Sequence, residues 1–507
     1  MIIVVDFGSQ TAHLISRRIN EMGADARLIL PENVLEKIQE KDVKGIIFSG
    51  GPASVYEKNA PVIDKKVFEL GIPILGICYG QQLTAYLLGG KIIPGLKKEF
   101  GPAEIKITKQ SSIFSHLPSH FQVWMTHGDK VDKIPPAFKK IGQTENVFNA
   151  AMSDDKNKIY GILFHPEVIH TQFGEQILKN FLEICKVKIK KTAINQKLVE
   201  NLIKDIKDSV KNEKVVCALS GGVDSSVAAV LTHKAIANNL TCIHIDSGLM
   251  REGETENLSK VFEKHYSMQI KIVNADKLFL ERLKNIFDPE RKRKIIGKTF
   301  IDVLEKEAKK IGAKFLVQGT IYPDVIESSG TKHSDKIKSH HNVGGLPEKM
   351  KLILVEPLRN FYKDEVREIG KILNLPAEIL QRHPFPGPGL AVRIVGEVTE
   401  HKLELVRKAD RIIQEELQSA KLDKKVWQAF AVYPGIKTTG VRGDSRAYGE
   451  TIAIRVIEAK DAMTVRWARL PYDLLDRIST RIVNEVKDVN RVVYDITNKP
   501  PATIEWE

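Results

Sequence analysis

The chain has few cysteines and no long apolar run. Its 507 residues include four cysteines, at positions 78, 185, 217 and 242, and none belongs to a Cys-x-x-Cys pair. The sequence therefore indicates neither a zinc site nor a disulfide framework, and a reducing compartment is expected. No stretch of about 18 apolar residues is present, and the start MIIVVDFGSQ lacks the basic end and cleavage site of a signal peptide. We therefore expect a cytoplasmic protein with no membrane partner.

The net charge of +13 is not concentrated in a recognised nucleic-acid-binding motif. Basic residues are spread along the chain and often alternate with acidic ones, as in EKDVKG and RKADRIIQEEL. Such alternation is typical of solvated surfaces, whereas nucleic-acid binding usually shows a basic patch. We therefore expect polyanionic small-molecule substrates and no nucleic-acid partner.

Short β-branched runs alternate with amphipathic stretches over most of the chain. This rhythm predicts parallel sheets covered by helices, and it occurs once before and once after the lysine-rich stretch KVKIKKTAINQK. The string RHPFPGPGLAV cannot continue a helix and marks the next boundary. We therefore predict an α/β protein with two doubly wound parallel-sheet domains, residues 1–187 and 190–383, followed by a smaller α+β domain, residues 384–507.

A glycine- and serine-rich loop, SGGVDSS, follows the apolar run VVCAL and precedes a predicted helix. Its glycines let backbone N–H groups approach an anion, its serines add hydroxyl donors, and the helix N-terminus favours negative charge. A Walker A loop would need a lysine that is missing here. The loop therefore predicts a phosphate site of another type. Asp224 can hold a magnesium ion there, and Asp246 would lie nearby because it ends another strand of the same sheet.

This loop resembles the pyrophosphatase loop of the N-type ATP pyrophosphatases. Such enzymes cleave ATP between its α- and β-phosphates and thereby activate an oxygen by adenylation. The resemblance implies ATP as a co-substrate, Mg²⁺, and no tightly bound organic cofactor. The ATP-binding residues that it implies are Ser220, Gly221, Gly222, Val223, Asp224, Ser225, Ser226, Asp246 and Gly319.

Cys78 lies in IPILGICYGQQL, where an apolar strand meets Gly-x-Cys-x-Gly and then a helix. This pattern predicts a nucleophile elbow, a sharp turn that exposes the sulfur at the end of the strand. Gly76 and Gly80 allow the close packing that such a turn requires. The positive end of the following helix favours the thiolate.

A histidine and a glutamate follow the strand-like run IYGIL. His165 and Glu167 are two residues apart, so in an extended backbone both side chains lie on one face. Glu167 can then bind one imidazole nitrogen while the other faces the thiol, which makes a Cys-His-Glu triad. The segment SGGPASV ends another strand, and we predict that the N–H groups of Gly51 and Tyr79 form an oxyanion hole.

The order of these motifs resembles the class I glutamine amidotransferase domains, which release ammonia from glutamine through a glutamyl thioester. The resemblance implies that Gln82 and Asp129 contact the glutamine substrate. Gln81 and Thr11 depart from the family pattern, which has methionine and tyrosine at these positions. We expect neither residue to contact the triad.

An ammonia source joined to an adenylating domain implies amidation. The whole chain resembles the family of glutamine-hydrolysing GMP synthetases, through segments that include DPERKRKIIGKTF, RHPFPGPGL, GVRGDSRAY and the terminal KPPATIEWE. The resemblance implies xanthosine 5′-monophosphate (XMP) as the acceptor, with its C2 oxygen adenylated and replaced by an amino group. It also implies a homodimer formed through the third domain.

Further residues follow from this resemblance. Arg293 and Lys499 are suited to the phosphate of XMP, because guanidinium and ammonium groups pair with phosphate. By motif, the base and ribose would be bound by Gln428, Asp444 and Glu505. Lys336 and Lys338 lie in a long polar stretch that could form a lid over ATP.

Two other functions stay open from the residues alone. An RNA-thiolating enzyme would share the SGGVDSS loop and the basic charge, but it would have no use for a glutaminase domain. A nucleotide-sensing scaffold with a decayed glutaminase would not need Cys78, His165 and Glu167 to be intact.

Overall fold

The computed structural model describes residues 1–9, 11–40, 42–189, 194–268, 270–322, 324, 352–442, 445–459, 465–499 and 501–507. The chain forms two compact units that divide between Ala193 and Ile194. None of the helices formed by these described residues is long and apolar enough to cross a membrane.

The first unit is built on one mixed sheet with helices on both faces. Its strands, numbered in chain order, are β1 Ile2–Val5, β2 Ala26–Ile29, β3 Gly45–Phe48, β4 Ile74–Ile77, β5 Lys91–Ile107, β6 His120–Lys133, β7 Lys139–Gln143, β8 Ala151–Asp154 and β9 Ile159–Ile162. Its helices are α1 Ala12–Glu21, α2 Val34–Glu40, α3 Tyr79–Leu87 and α4 Gly174–Ile184. The strand order is β2-β1-β3-β4-β9-β8-β7-β5-β6, parallel from β2 to β9 and antiparallel beyond.

Strand β1 shows why this sheet is covered on both sides. Ile2 and Val4 belong to one buried apolar cluster, and Ile3 and Val5 belong to another. Successive side chains of a strand point to opposite faces, so a continuous apolar strand needs a core on each face.

The second unit begins with a parallel sheet in the order β12-β11-β10-β13-β14. These strands are β10 Val215–Ala218, β11 Leu240–Asp246, β12 Ile270–Asn274, β13 Phe315–Val317 and β14 Ile353–Val355. The helices of this part are α5 Gln196–Val210, α6 Val223–Ile236, α7 Glu254–Tyr266, α8 Asp276–Leu283, α9 Pro289–Ile311, α10 Lys363–Ile372 and α11 Ala377–Leu380. Helix α9 begins where the Asp288 carboxylate accepts the Arg291 N–H at 2.7 Å and Pro289 occupies the first turn.

The end of the chain adds a second, mainly antiparallel sheet to this unit. Its strands are β15 Gln428–Val432, β16 Lys437–Arg442, β17 Ser445–Glu458, β18 Arg466–Trp467 and β19 Val489–Tyr494, and its helices are α12 Glu400–Ser419 and α13 Tyr472–Glu485. Strand β17 pairs antiparallel with β15, β16 and β18 and parallel with β19. One apolar cluster includes Val216 and Ile243 of the parallel sheet together with Ile412 and Ile454 of this region. The two sheets therefore share a core.

The predicted fold class is confirmed. Two sheets with parallel strands and helices on both faces precede a region of helices and antiparallel strands.

Candidate active sites

Cys78 lies in a strained turn between β4 and α3. Its φ of 53° and ψ of −109° are rarely adopted by residues with a side chain. A Cβ at Gly76 would lie 2.5 Å from the Gly80 carbonyl oxygen, and a Cβ at Gly80 would lie 2.5 Å from the Phe48 carbonyl oxygen. Only glycine fits at both positions, so the turn brings helix α3 directly against the sheet and leaves Cys78 at the carboxyl end of β4.

Both ring nitrogens of His165 have side-chain partners. Nδ1 lies 2.6 Å from Glu167 Oε1, and Nε2 lies 2.6 Å from Thr126 Oγ1. Cys78 lies close enough to His165 to affect its protonation, and Gly50 packs against both residues. Burial acts to lower the pKa of His165, but the Glu167 charge and the interactions with Cys78 outweigh burial and raise the pKa to about 10. The imidazole is therefore protonated at neutral pH and can donate a proton to a leaving amine.

The contact between His165 and Glu167 does not arise from an extended strand. Strand β9 ends at Ile162, and both residues lie in the turn that follows. Hydrogen bonds fix this turn: the His165 N–H donates to Trp124 O at 3.0 Å, and Arg18 Nε donates to Glu167 O at 3.0 Å. The predicted contact between His165 and Glu167 is present. It results from the tertiary contacts that fix the turn, and the alternation of side chains along a strand does not account for it.

The end of strand β3 lies against both Cys78 and His165. A Cβ at Gly50 would be 3.2 Å from His165 Cε1 and 3.7 Å from Cys78 Cβ. In the described part of the chain, the N–H groups of Gly51 and Tyr79 have no hydrogen-bond acceptor. Two backbone donors are therefore left without an acceptor among the described residues, one on Tyr79, which follows Cys78, and one on Gly51, which follows Gly50. An oxyanion hole requires such donors.

The structure brings Gln82 and Asp129 together beside this turn. Gln82 Nε2 donates to Asp129 O at 3.0 Å, and the Tyr56 hydroxyl donates to Asp129 Oδ1 at 3.1 Å. Tyr56 was not expected from the sequence.

The expectation for Thr11 was wrong. Its hydroxyl lies 3.5 Å from His165 Nδ1, because Thr11 comes just before helix α1 and near the carboxyl end of β1. Gln81 instead donates to Asn149 O at 3.1 Å.

The SGGVDSS loop connects β10 to helix α6. Gly221 has a φ of 78°, a conformation that favours glycine. The Ser225 and Ser226 hydroxyls donate to the Gly222 carbonyl at 3.1 and 2.8 Å, and Ser220 Oγ lies 3.0 Å from Ser225 Oγ. These bonds fold the loop onto the N-terminus of α6, where backbone N–H groups can bind an anion.

Asp224 is the group in this loop that fits a divalent cation. Its Oδ1 atom is buried with no hydrogen-bond partner among the described residues, and burial raises the pKa of the carboxyl while Lys363 opposes the rise. Lys363 Nζ lies 3.9 Å from Asp224 Oδ2. The part of the chain that the structure describes contains no group of three His, Cys, Asp or Glu side chains that could hold a metal. A cation here would therefore depend on oxygen atoms of its phosphate ligand for further coordination.

The other predicted ATP residues lie at the same edge of the sheet. Asp246 ends β11, and its Oδ1 accepts the Gly248 N–H at 3.0 Å. A Cβ at Gly319 would lie 2.6 Å from Ser225 N and 2.7 Å from Asp224 C. The chain that leaves β13 therefore packs directly on the loop.

Three of the predicted XMP residues lie around the end of the chain. Gln428 Nε2 donates to Glu505 Oε1 at 3.2 Å, and Arg293 donates to the main-chain oxygen of Glu507. Lys499 instead pairs through its backbone with Val465, at 3.0 and 2.9 Å. Asp444, Lys336 and Lys338 lie outside the described residues.

Several side chains at these sites were not found from the sequence. Arg393 is fully buried, lies 3.0 Å from Glu505 Oε2 through its Nε, and stacks 4.2 Å from the Phe430 ring centroid. Arg382 donates to the Gly221 carbonyl, and Thr126 contacts His165. Each of these contacts joins distant parts of the chain, so no local pattern indicated it.

Three family models match separate parts of the chain. Residues 3–185 match the model described as glutamine amidotransferase class-I, residues 194–297 match NAD synthase, and residues 415–506 match the GMP synthase C terminal domain. The fold and the sites thus define an amidotransferase joined to an ATP-using synthetase.

Full-length relatives give the particular family. The chain is 54% identical over 511 residues to a protein of Caldicellulosiruptor saccharolyticus, 53% identical over 508 residues to one of Aquifex aeolicus, and 52% identical over 509 residues to one of Clostridium botulinum. Each match covers 100% of this chain and 99% of the relative, and each relative is named GMP synthase (glutamine-hydrolyzing). This chain belongs to the glutamine-hydrolysing GMP synthase family.

Proposed function

We infer that this protein is a carbon–nitrogen ligase that converts XMP to GMP, with ATP as co-substrate and ammonia from glutamine hydrolysis. The reaction belongs to purine nucleotide synthesis and releases AMP, pyrophosphate and glutamate. The observation that carries the inference is the presence, in one chain, of the Cys78-His165-Glu167 cluster and of a phosphate loop without a lysine. Family membership over the full length supports it.

We propose the following roles in glutamine hydrolysis. Cys78 Sγ attacks the side-chain amide carbon, and the N–H groups of Gly51 and Tyr79 stabilise the resulting oxyanion. His165 gives its Nε2 proton to the leaving amine, which departs as ammonia. It then takes a proton from the water that hydrolyses the thioester.

Gln82 and Asp129 are proposed to bind the glutamine substrate. The hydrogen bond between Gln82 and the Asp129 main chain holds both residues on one side of the Cys78 turn. This arrangement leaves the Asp129 carboxylate next to the Tyr56 hydroxyl, where it can attract the α-ammonium group of an amino acid.

In the synthetase half, the C2 oxygen of XMP attacks the α-phosphorus of ATP and pyrophosphate leaves. Ammonia then attacks C2 and loses a proton, the C2–O bond breaks, and the oxygen leaves as part of the AMP phosphate. The proposed ATP-binding residues are the loop Ser220–Ser226 with Asp246 and Gly319. A magnesium ion bound to ATP would neutralise phosphate charge, and Asp224 is the residue proposed to hold it.

For XMP, we propose Arg293, Gln428 and Glu505 as binding residues, because all three lie around the end of the chain. Lys499 and Asp444 are proposed by motif alone, as are Lys336 and Lys338 for a lid. The proposed domains are residues 1–187, 190–383 and 384–507.

A homodimer and a cytoplasmic location complete the proposal. Exposed apolar side chains on strands β16 and β17 support self-association through the third domain: Val441 and Tyr448 are 75% and 78% exposed. RNA thiolation is disfavoured, because Cys217 and Cys242 are neighbours inside the parallel sheet and both are buried. Neither sulfur can reach an RNA substrate.

The test is GMP formation from XMP, ATP and magnesium, with either glutamine or ammonium chloride as the nitrogen donor. We expect GMP with both donors and AMP in equal amount. AMP release that does not depend on XMP, without GMP from either donor, would contradict the proposal and favour another acceptor.

A further inference from the structure

The phosphate loop is held by an arginine from a distant part of the chain. Arg382 follows helix α11, and one end of its guanidinium group donates to the Gly221 carbonyl. The other end pairs with the carboxylate of Glu254, the first residue of helix α7. A Cβ at Gly221 would lie only 2.6 Å from Arg382 Nη1. The guanidinium therefore occupies the space beside the loop that a side chain would fill.

The charge balance of the loop explains why a cation is needed there. Triphosphate carries several negative charges, and Lys363, the cation 3.9 Å from Asp224 Oδ2, already pairs with the carboxylate of the loop. The loop itself has no lysine, and a carbonyl oxygen directed toward the phosphates would repel them. Arg382 binds the carbonyl oxygen of Gly221, the residue of this loop that has a positive φ.

We propose that Arg382 is a positioning residue for the ATP phosphates. It fixes the Gly221 peptide so that the loop N–H groups face the triphosphate, and it places positive charge beside them. Glu254 holds the guanidinium in this orientation. The inference rests on the proposed function, since it assigns ATP to this loop.

The test compares Arg382→Gln, Arg382→Lys and Glu254→Gln with the unchanged protein. Direct ATP binding is measured by calorimetry, and KM values for ATP and XMP are measured with ammonium as the donor. Because a hydrogen bond from a charged donor is strong, losing the bond from Arg382 to the Gly221 carbonyl should weaken ATP binding about tenfold or more in Arg382→Gln. Arg382→Lys should recover part of this loss, because the charge remains but only one of the two contacts can form.

The KM for XMP and the glutaminase rate show whether Arg382 positions the ATP phosphates or only stabilises the fold. Both should stay close to those of the unchanged protein in Arg382→Gln. Glu254→Gln should weaken ATP binding by a smaller factor of about three, since the bond to Gly221 remains. Arg477→Gln is the matched control, because Arg477 is exposed and pairs with Glu416 on another surface.

Two results would overturn the proposal. One is ATP binding in Arg382→Gln that equals binding by the unchanged protein. The other is an equal loss of ATP binding, XMP affinity and thermal stability. If the unchanged protein binds ATP but makes no GMP, the proposed function fails while the calorimetric comparison still tests Arg382.

Discussion

At the scale of single residues, the glutaminase chemistry depends on the charges around His165. Burial lowers its pKa, and Glu167 and Cys78 together raise it to about 10. The protonated form therefore persists across neutral pH and is lost as the pH rises through the pKa. Since this proton is needed for the leaving amine, we expect glutamine hydrolysis to fall on the alkaline side near pH 10.

Replacing Glu167 by glutamine should move this alkaline limb to lower pH. The Glu167 charge opposes the lowering of the His165 pKa by burial. Without this charge, the pKa of His165 should fall by about one unit or more. The measurement is kcat/KM for glutamine hydrolysis against pH. Glu145→Gln, which changes an exposed carboxylate of the same unit, is the control. An unchanged limb in Glu167→Gln would show that the carboxylate does not set the pKa of His165.

The sequence was informative for residues that act through their neighbours along the chain. The glycines around Cys78 predicted the tight turn, and the structure shows close backbone contacts at Gly76 and Gly80. Thr126 and Arg382 could not be predicted, because their partners lie 39 and 161 residues away. The contact of Thr11 with His165 was missed for the same reason.

At the scale of elements, the phosphate loop depends on close packing against the chain that follows β13. Gly319→Ala would place a methyl group 2.6 Å from the Ser225 nitrogen, and backbone atoms cannot yield as a flexible side chain can. We expect this variant to lose GMP synthesis about tenfold or more with either donor, because the loop must shift. Glutamine hydrolysis, which uses the other unit, should be kept.

Gly297→Ala is the matched control for that prediction. Gly297 lies within helix α9, and a Cβ there meets nothing within 4 Å. Alanine favours a helix over glycine by about 1 kcal/mol, so this variant should be neutral or slightly stabilised. Equal activity of Gly319→Ala and Gly297→Ala would contradict the packing argument.

Some elements could be predicted and others could not, for physical reasons. The apolar runs predicted β1, β3, β4 and β9, which are the buried parallel strands of the first sheet. Strand β5 gave no such signal, because KIIPGLKKEFGPAEIKI contains prolines and glycines that usually interrupt strands. Its register with β6 shifts between Pro94 and Glu99, where the chain departs from regular pairing.

At the scale of the whole molecule, the rhythm of apolar runs was enough to predict the fold class. The shared core between the parallel sheet and the terminal sheet could not be predicted, because residues far apart in the sequence, such as Val216 and Ile454, join one buried cluster. The proposed boundary between residues 383 and 384 therefore separates two regions that pack as one unit. It stays a prediction.

The proposed homodimer gives a test at this scale. Val441→Glu places a charge on the exposed apolar surface of strands β16 and β17. We therefore expect the dissociation constant of the dimer to rise at least tenfold. Sedimentation velocity over a range of protein concentrations measures this change. Val62→Glu, at an exposed valine of the first unit, should leave the mass unchanged. A monomeric unchanged protein would contradict the proposed dimer.

The central claim is that ammonia is released at Cys78 and used at a separate nucleotide site. The most direct measurement is GMP synthesis by Cys78→Ala with glutamine and, separately, with ammonium chloride. We predict no synthesis from glutamine and a rate from ammonium close to that of the unchanged protein. Loss of the ammonium-driven reaction as well, or continued synthesis from glutamine, would contradict this division of chemistry.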